Sequence, residues 1–202
     1  MTVVASIVEG DGEVAALPVL LRRMSGWLSP EVHAVVPPPI RVRRDRFLHR
    51  VDEFRRMLLL AAGKCGEDGW ILVLLDADDD CPAELGADVL VRAQVIVPHR
   101  RLSVVLANRE YESWFIAAQT SLHGRRGFSV DDHPAPDVER IRGAKEWLGA
   151  HMGGGRYRES TDQPAFSSLI DLDEARANSR SFRKLCDEWL RFVAAVGMDA
   201  QD

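Results

Sequence analysis

The apolar positions of this chain alternate between short continuous runs and stripes at helical spacing. Thr2 to Val8 is a β-branched and apolar run, which predicts a buried strand. Glu9-Gly10-Asp11-Gly12-Glu13 then turns the chain, and Leu20, Met24, Trp27 and Leu28 mark a helix. Pro18 is expected in the first turn of that helix or at a kink in it. Val32 to Val36 predicts a second strand, stopped by three prolines, and Phe47, Val51, Phe54 and Leu58 predict a helix ending near Gly63. Trp70 to Leu75 is a third strand. Leu85, Val89, Ala93 and Ile96 mark a helix that starts after Pro82. Leu102 to Leu106 is a fourth strand, followed by a helix carrying Tyr111, Trp114, Phe115 and Ala118.

This β-α-β-α-β-α-β-α order predicts an α/β fold: a parallel sheet of about four strands with helices on both faces, joined by right-handed crossovers. Residues 1–120 would form that domain. Residues 121–202 would form a C-terminal loop and helical extension packed on it. The loop, 121–138, carries Gly124, Gly127, Pro134 and Pro136. A helix follows over 138–150, broken by Gly153-Gly154-Gly155, and the tail is helical from Pro164 onward. Trp147, Phe166, Phe182 and Trp189 are expected in its core.

One stretch departs from the pattern. The apolar run Ile71-Leu72-Val73-Leu74-Leu75 ends in Asp76-Ala77-Asp78-Asp79-Asp80, four carboxylates within five residues. In open α/β sheets ligands bind just beyond the carboxyl ends of strands. Asp76 and Asp78, two apart on an extended segment, can point the same way. Carboxylates at that density repel unless one takes up a proton or a cation joins them. Hard oxygen ligands suit Mg²⁺ or Mn²⁺. Glu9 directly follows the first strand, so adjacency of the first and third strands would bring it to the same rim. Glu13, four residues past Glu9, and Glu112, after the fourth strand, could join the same rim. Glu110 lies two positions from Glu112 and would point elsewhere on a helix. Asp79 and Asp80 read as solvated residues, with Asp80 suited to cap the helix after Cys81-Pro82.

Composition narrows the choice. A chain of 202 residues, 46% hydrophobic, can bury one ample core. Its net charge of -5 argues against binding nucleic acid by bulk attraction, so any such binding would need local patches, a metal or a partner. Cys65, Cys81 and Cys186 are odd in number and scattered, which predicts no disulfide framework and a cytoplasmic setting. No signal peptide and no membrane span are expected, since no apolar run approaches about 20 residues. The six histidines show no metal spacing.

Glu9-Gly10-Asp11-Gly12-Glu13 after the first strand, with Asp76-Ala77-Asp78 after a later one, resembles the Toprim superfamily. The first stretch is similar to the glutamate-glycine-x-x-glutamate form in nucleases of the overcoming-lysogenization-defect family. Arg109-Glu110-Tyr111-Glu112-Ser113-Trp114-Phe115 and Asp162-Gln163-Pro164 resemble a family of short stand-alone Toprim-like proteins, often encoded beside an ATPase and linked to phage defence. The Toprim resemblance covers about residues 1–120, and the short-family resemblance covers nearly the whole chain. It implies a Toprim-like sheet and a metal centre of Glu9, Asp76 and Asp78, with Glu9 as ligand or general base and Glu13 and Glu112 as candidates for a second metal or its waters. It also implies Mg²⁺-dependent hydrolysis of a nucleic-acid phosphodiester, DNA before RNA, with a partner ATPase. Where those nucleases usually carry a hydroxyl residue, this chain has Gly12. The alternative is a non-catalytic subunit that docks on an ATPase or on nucleic acid.

Related chemistries fit less well. A topoisomerase needs a nucleophilic tyrosine on a strand-passage domain, and only Tyr111 and Tyr157 are present. A primase needs a longer chain. Haloacid-dehalogenase phosphatases carry their aspartates on the first strand, which here ends in Glu9. A response regulator needs a lysine at the end of the last strand, and none directly follows the fourth. For phosphate contacts the candidates are Arg41, Arg43 and Arg44 in a basic stretch, and Arg125 and Arg126 in a glycine-bearing loop, because the planar guanidinium fork matches phosphate. Lys145 and Arg158 could stabilise transition-state charge, but ordinary surface placement is the expectation for both.

Overall fold

A computed structural model describes residues 2–130 and 136–199, so Pro134 of the expected loop lies outside the described residues. The strands are β1 (Thr2–Val8), β2 (Ala34–Val35), β3 (Ile40–Arg41), β4 (Trp70–Asp76) and β5 (Arg101–Ala107). They form one parallel sheet in the order β2-β1-β4-β5, with β3 also paired to β1. The sheet thus has about five strands, one more than expected. Val32 to Val36 yields only the two residues of β2. Pro37, Pro38 and Pro39 have no N–H to give to a ladder, so the chain leaves β1 and rejoins it as β3.

The helices are α1 (Asp11–Leu28), α2 (Arg44–His49), α3 (Val51–Cys65), α4 (Pro82–Ile96), α5 (Ser113–Ala117), α6 (Gln119–Leu122), α7 (Ala144–Ala150), α8 (Glu159–Leu169), α9 (Leu172–Asn178) and α10 (Arg180–Asp199). Four differ from expectation. The helix expected over 138–150 is a 3-10 turn at Val138–Arg140 followed by the shorter α7. Pro18 sits well inside α1, because that helix starts at Asp11 directly after the turn. The stripe from Phe47 to Leu58 is two helices, since Arg50 is extended between them. The stripe from Tyr111 to Ala118 becomes two short helices, α5 and α6, separated by Ala118.

Side chains of β4 alternate across the sheet. Ile71, Val73 and Leu75 face α3 and α4, together with Ala5 and Ile7 of β1. Trp70, Leu72 and Leu74 face the other way, into a larger cluster with α1 and the C-terminal helices. There Trp70 stacks on Phe192 at 5.1 Å between ring centres and meets Trp189 edge-on at 6.0 Å. Each fully buried indole N–H has a serine acceptor: Trp70 with Ser103, Trp114 with Ser181 and Trp189 with Ser29. Residues beyond 120 therefore complete the core on one face of the sheet. No helix among the described residues is long and apolar enough to cross a membrane. The three cysteines are free.

Candidate functional site

β1 and β4 are adjacent and parallel, so the turns after them open on the same rim. The alternation that places Trp70, Leu72 and Leu74 on the α1 face carries on to Asp76, the last residue of β4. Asp76 Oδ1 accepts the Tyr111 backbone N–H at 2.8 Å. Asp78 departs from the extended geometry expected of it. Its φ is +50°, in the left-handed region that aspartate tolerates better than most residues. Its N–H donates to the Arg109 carbonyl at 3.0 Å, and Arg109 is itself left-handed at +62°. The turn still delivers Asp78 to the rim, through a bend rather than through strand alternation.

A pocket of about 590 Å³ opens there. It is lined by Glu9, Gly10, Glu13, Asp76 and Asp78 from the strand ends and α1, by residues 41–46, and by Lys145 and Glu159 from the C-terminal segment. The turn after β1 is shaped by close approach. A Cβ at Gly10 would stand 2.3 Å from Glu13 Oε2, and one at Gly12 would stand 1.9 Å from Gln163 Oε1. Side chains at these positions would collide with polar groups of the rim, so glycine is required for the observed arrangement. Gln163 of α8 is fully buried, and its Nε2 lies 3.4 Å from Glu13 Oε1 and 3.2 Å from Glu112 Oε1. Glu110 points elsewhere: its Oε2 accepts the Lys145 backbone N–H at 3.1 Å in the first turn of α7.

Charge is unevenly compensated. Asp78, Asp79 and Asp80 are exposed and lie against arginines. Arg44 Nε is 3.5 Å from Asp78 Oδ2, and its Nη2 bonds Asp80. Arg109 and Arg142 each reach Asp79 Oδ1 at 2.9 Å. Asp80 is therefore not the cap of α4; the N-cap is Cys81, and the Asp80 carboxylate is engaged by Arg44. The deeper acids lack such partners. Glu9 Oε2, Glu13 Oε2 and Glu112 Oε2 are buried without a hydrogen-bond partner.

Burial raises Asp76 well above the usual carboxylate range, and Glu112, Glu13 and Glu9 push it the same way. Burial also pushes Glu112 up to about 8, outweighing the opposing pull of Lys145. Glu9 is raised by burial and then by Asp78, against Arg44. Lys145 loses some basicity to burial but gains more from Glu112 and Glu159, so it is firmly cationic; its Nζ is 3.0 Å from Glu159 Oε1.

The candidate arginines separate by role. Arg41 lines the pocket and pairs with the exposed Asp11 at 3.0 Å. Arg43 lines it, is exposed, and among the described residues has no ion-pair partner. Arg44 is committed inward, donating to the Asp76 carbonyl at 3.1 Å as well as to the aspartates. Arg125 and Arg126 are not among the pocket-lining residues, and Arg126 anchors Asp162 of α8 at 2.9 Å. Lys145, expected at the surface, and Glu159, which carried no expectation, both reach the pocket. Asp162-Gln163-Pro164 had been singled out, though without a role for Gln163.

The donors suit a hard divalent cation: all are carboxylate oxygens, and three buried ones are unpartnered. Among the described residues, no three acidic, histidine or cysteine groups already close on a common point.

The arrangement defines an α/β protein with an acid-floored, arginine-rimmed pocket at the carboxyl ends of adjacent parallel strands. The chain belongs to the family described as domain of unknown function DUF4276, whose model matches residues 8–189. No curated protein and no solved structure gives a significant match.

Proposed function

We propose that this pocket hydrolyses nucleic-acid phosphodiesters with Mg²⁺ or Mn²⁺, in the manner of a Toprim-like nuclease. The observation that carries the reading is the set of buried, unpartnered carboxylate oxygens on Glu9, Glu13 and Glu112 beside a destabilised Asp76. Glu9, Asp76 and Asp78 would hold the cation, with Glu13 and Glu112 behind them. When bound, the ion supplies positive charge to the phosphoryl oxygens and makes a nucleophile of water at neutral pH. Glu9 Oε2 is the oxygen available to take a proton from the attacking water. Lys145, cationic and pocket-lining, stabilises charge that develops on the phosphoryl group. Arg43 and Arg41 hold the backbone phosphates at the rim. Because net charge is -5, a partner such as an ATPase would supply further grip on the polymer, in keeping with a role in phage defence.

The test is cleavage of single- and double-stranded DNA and RNA with Mg²⁺ or Mn²⁺, beside Asp76→Asn. Metal-dependent cutting lost in the variant is the expected result. No cutting by the wild type and no metal-induced rise in melting temperature would overturn it. A second reading, a non-catalytic subunit docking on a partner, draws on exposed Val91 and Val95 of α4, at 62% and 79% exposure. A wild type that binds an ATPase but neither ion nor nucleic acid would favour it.

A further inference from the structure

We infer that Gln163 is a positioning residue, through which the C-terminal segment sets the carboxylates of Glu13 and Glu112 to receive a divalent cation. The inference rests on the metal reading above and adds to it a residue from outside the strand-end motifs.

Glu13 lies in the first turn of α1 and lines the pocket, while Glu112 immediately precedes α5 and is not among the pocket-lining residues; both are buried. Two carboxylates so placed repel, and burial strengthens the repulsion. The Gln163 amide lies between them, its Nε2 donating to one oxygen of each. The second oxygen of each remains unpartnered. Thus the amide fixes one oxygen per carboxylate and leaves the other without a geometrically good hydrogen bond, with the buried Tyr157 hydroxyl as a close neighbour of Glu112. A buried glutamine whose role was only to fill the core would have both ends of its amide satisfied. Here Oε1 has no hydrogen-bond partner and faces the vacant side of Gly12.

The neighbours of Gln163 hold it in place. Asp162 Oδ2 accepts the Arg158 backbone N–H at 2.8 Å, closing the first turn of α8, while its Oδ1 takes Arg126 at 2.9 Å. Pro164 follows inside the helix with its φ restricted. Asp162 is therefore the anchor and Gln163 the arm. Residues that orient metal-binding groups without touching the ion typically alter metal affinity by about 10–100-fold when replaced.

The test is an Mn²⁺ titration of the full chain, followed by electron paramagnetic resonance of the free ion and by melting temperature. Gln163→Met keeps length and volume but removes the amide. It should keep the fold and raise the Mn²⁺ midpoint about tenfold or more. Gly12→Ala should raise the midpoint similarly, because the new methyl displaces the amide. In the double variant Gly12→Ala/Gln163→Ala the collision is gone, so melting temperature in the absence of metal should recover relative to Gly12→Ala while the midpoint stays high. A purely structural role would instead move melting temperature and midpoint together. A wild-type midpoint in Gln163→Met or in Gly12→Ala would overturn the inference and leave the metal reading intact. A wild type that takes up no Mn²⁺ would overturn both.

Discussion

The rim holds two groups of acids that look alike in sequence and differ in situation. Asp78, Asp79 and Asp80 are exposed and lie against arginines. Asp76, Glu13 and Glu112 are deeper; Lys145 is the cation near Asp76 and Glu112, and both glutamates retain unpartnered oxygens. The exposed group is solvated and compensated, so its ion pairs contribute little, about 0–1 kcal/mol each. The buried group is where folding disfavours the charged forms of Asp76 and Glu112. In the metal reading proposed above, function draws on the second group together with Glu9 and Asp78, because a ligand there relieves a cost that the fold carries without it.

The sharpest way to break this comparison is to neutralise one acid in each group. Asp76→Asn keeps the acceptor for the Tyr111 N–H and should lower metal-dependent cleavage by about 100-fold or more, with melting temperature in the absence of metal equal or higher. Asp79→Asn should leave cleavage within about threefold and stability within about 1 kcal/mol. Equal losses from the two would erase the distinction.

Next in size is pH dependence. A carboxyl raised in the folded state binds more protons folded than unfolded, so stability falls as pH rises between the unfolded and folded values. For Glu112 that window runs from its ordinary 4.5 to about 8, and raised Asp76 and Glu9 act in the same direction. Without metal, the melting temperature should drop by several degrees from pH 5 to pH 8.5. Glu112→Gln should flatten the drop, and Mg²⁺ should oppose it by favouring the charged forms. A flat profile for the wild type would mean that the deep acids are better compensated than their surroundings indicate.

Smaller effects separate the arginines. Arg44→Ala should cost about 1–3 kcal/mol by denaturant unfolding, because it strands a carbonyl at the end of β4. Arg43→Ala should scarcely change stability, yet should lower the salt slope of nucleic-acid binding by about 1. An unchanged slope would move Arg43 from phosphate contact to plain surface.

Much of the fold was legible because its signals are local. The apolar runs of β1, β4 and β5 and the Pro82 start of α4 need only neighbouring residues to be read, and the strand ends pointed to Glu9 and Asp76 on one rim. What could not be read depends on distant partners. Asp78 turns left-handed because the Arg109 carbonyl receives its N–H. β3 exists because the chain finds β1 again after three prolines. Lys145 and Gln163 carry no periodic signature, and Gln163 meets Glu13 across 150 positions of sequence. Gly12 looked like a missing hydroxyl, and only the position of Gln163 shows it as space left for another side chain.

The sharing of Trp70 with Trp189 and Phe192 has a consequence in time. Chains emerge from the ribosome at roughly 5–20 residues per second and begin folding from the N-terminal side. Once β5 has been made, every strand and the α3–α4 face can assemble. The opposite face waits for α8 and α10, with Leu17, Leu20 and Trp70 uncovered until then. Contacts spanning 150 and 160 positions make that closure slow, since long loops must be ordered before they are rewarded. The pocket is thus completed last, by Lys145, Glu159 and Gln163, and a nascent chain carries the strand-end motifs well before it carries the finished pocket.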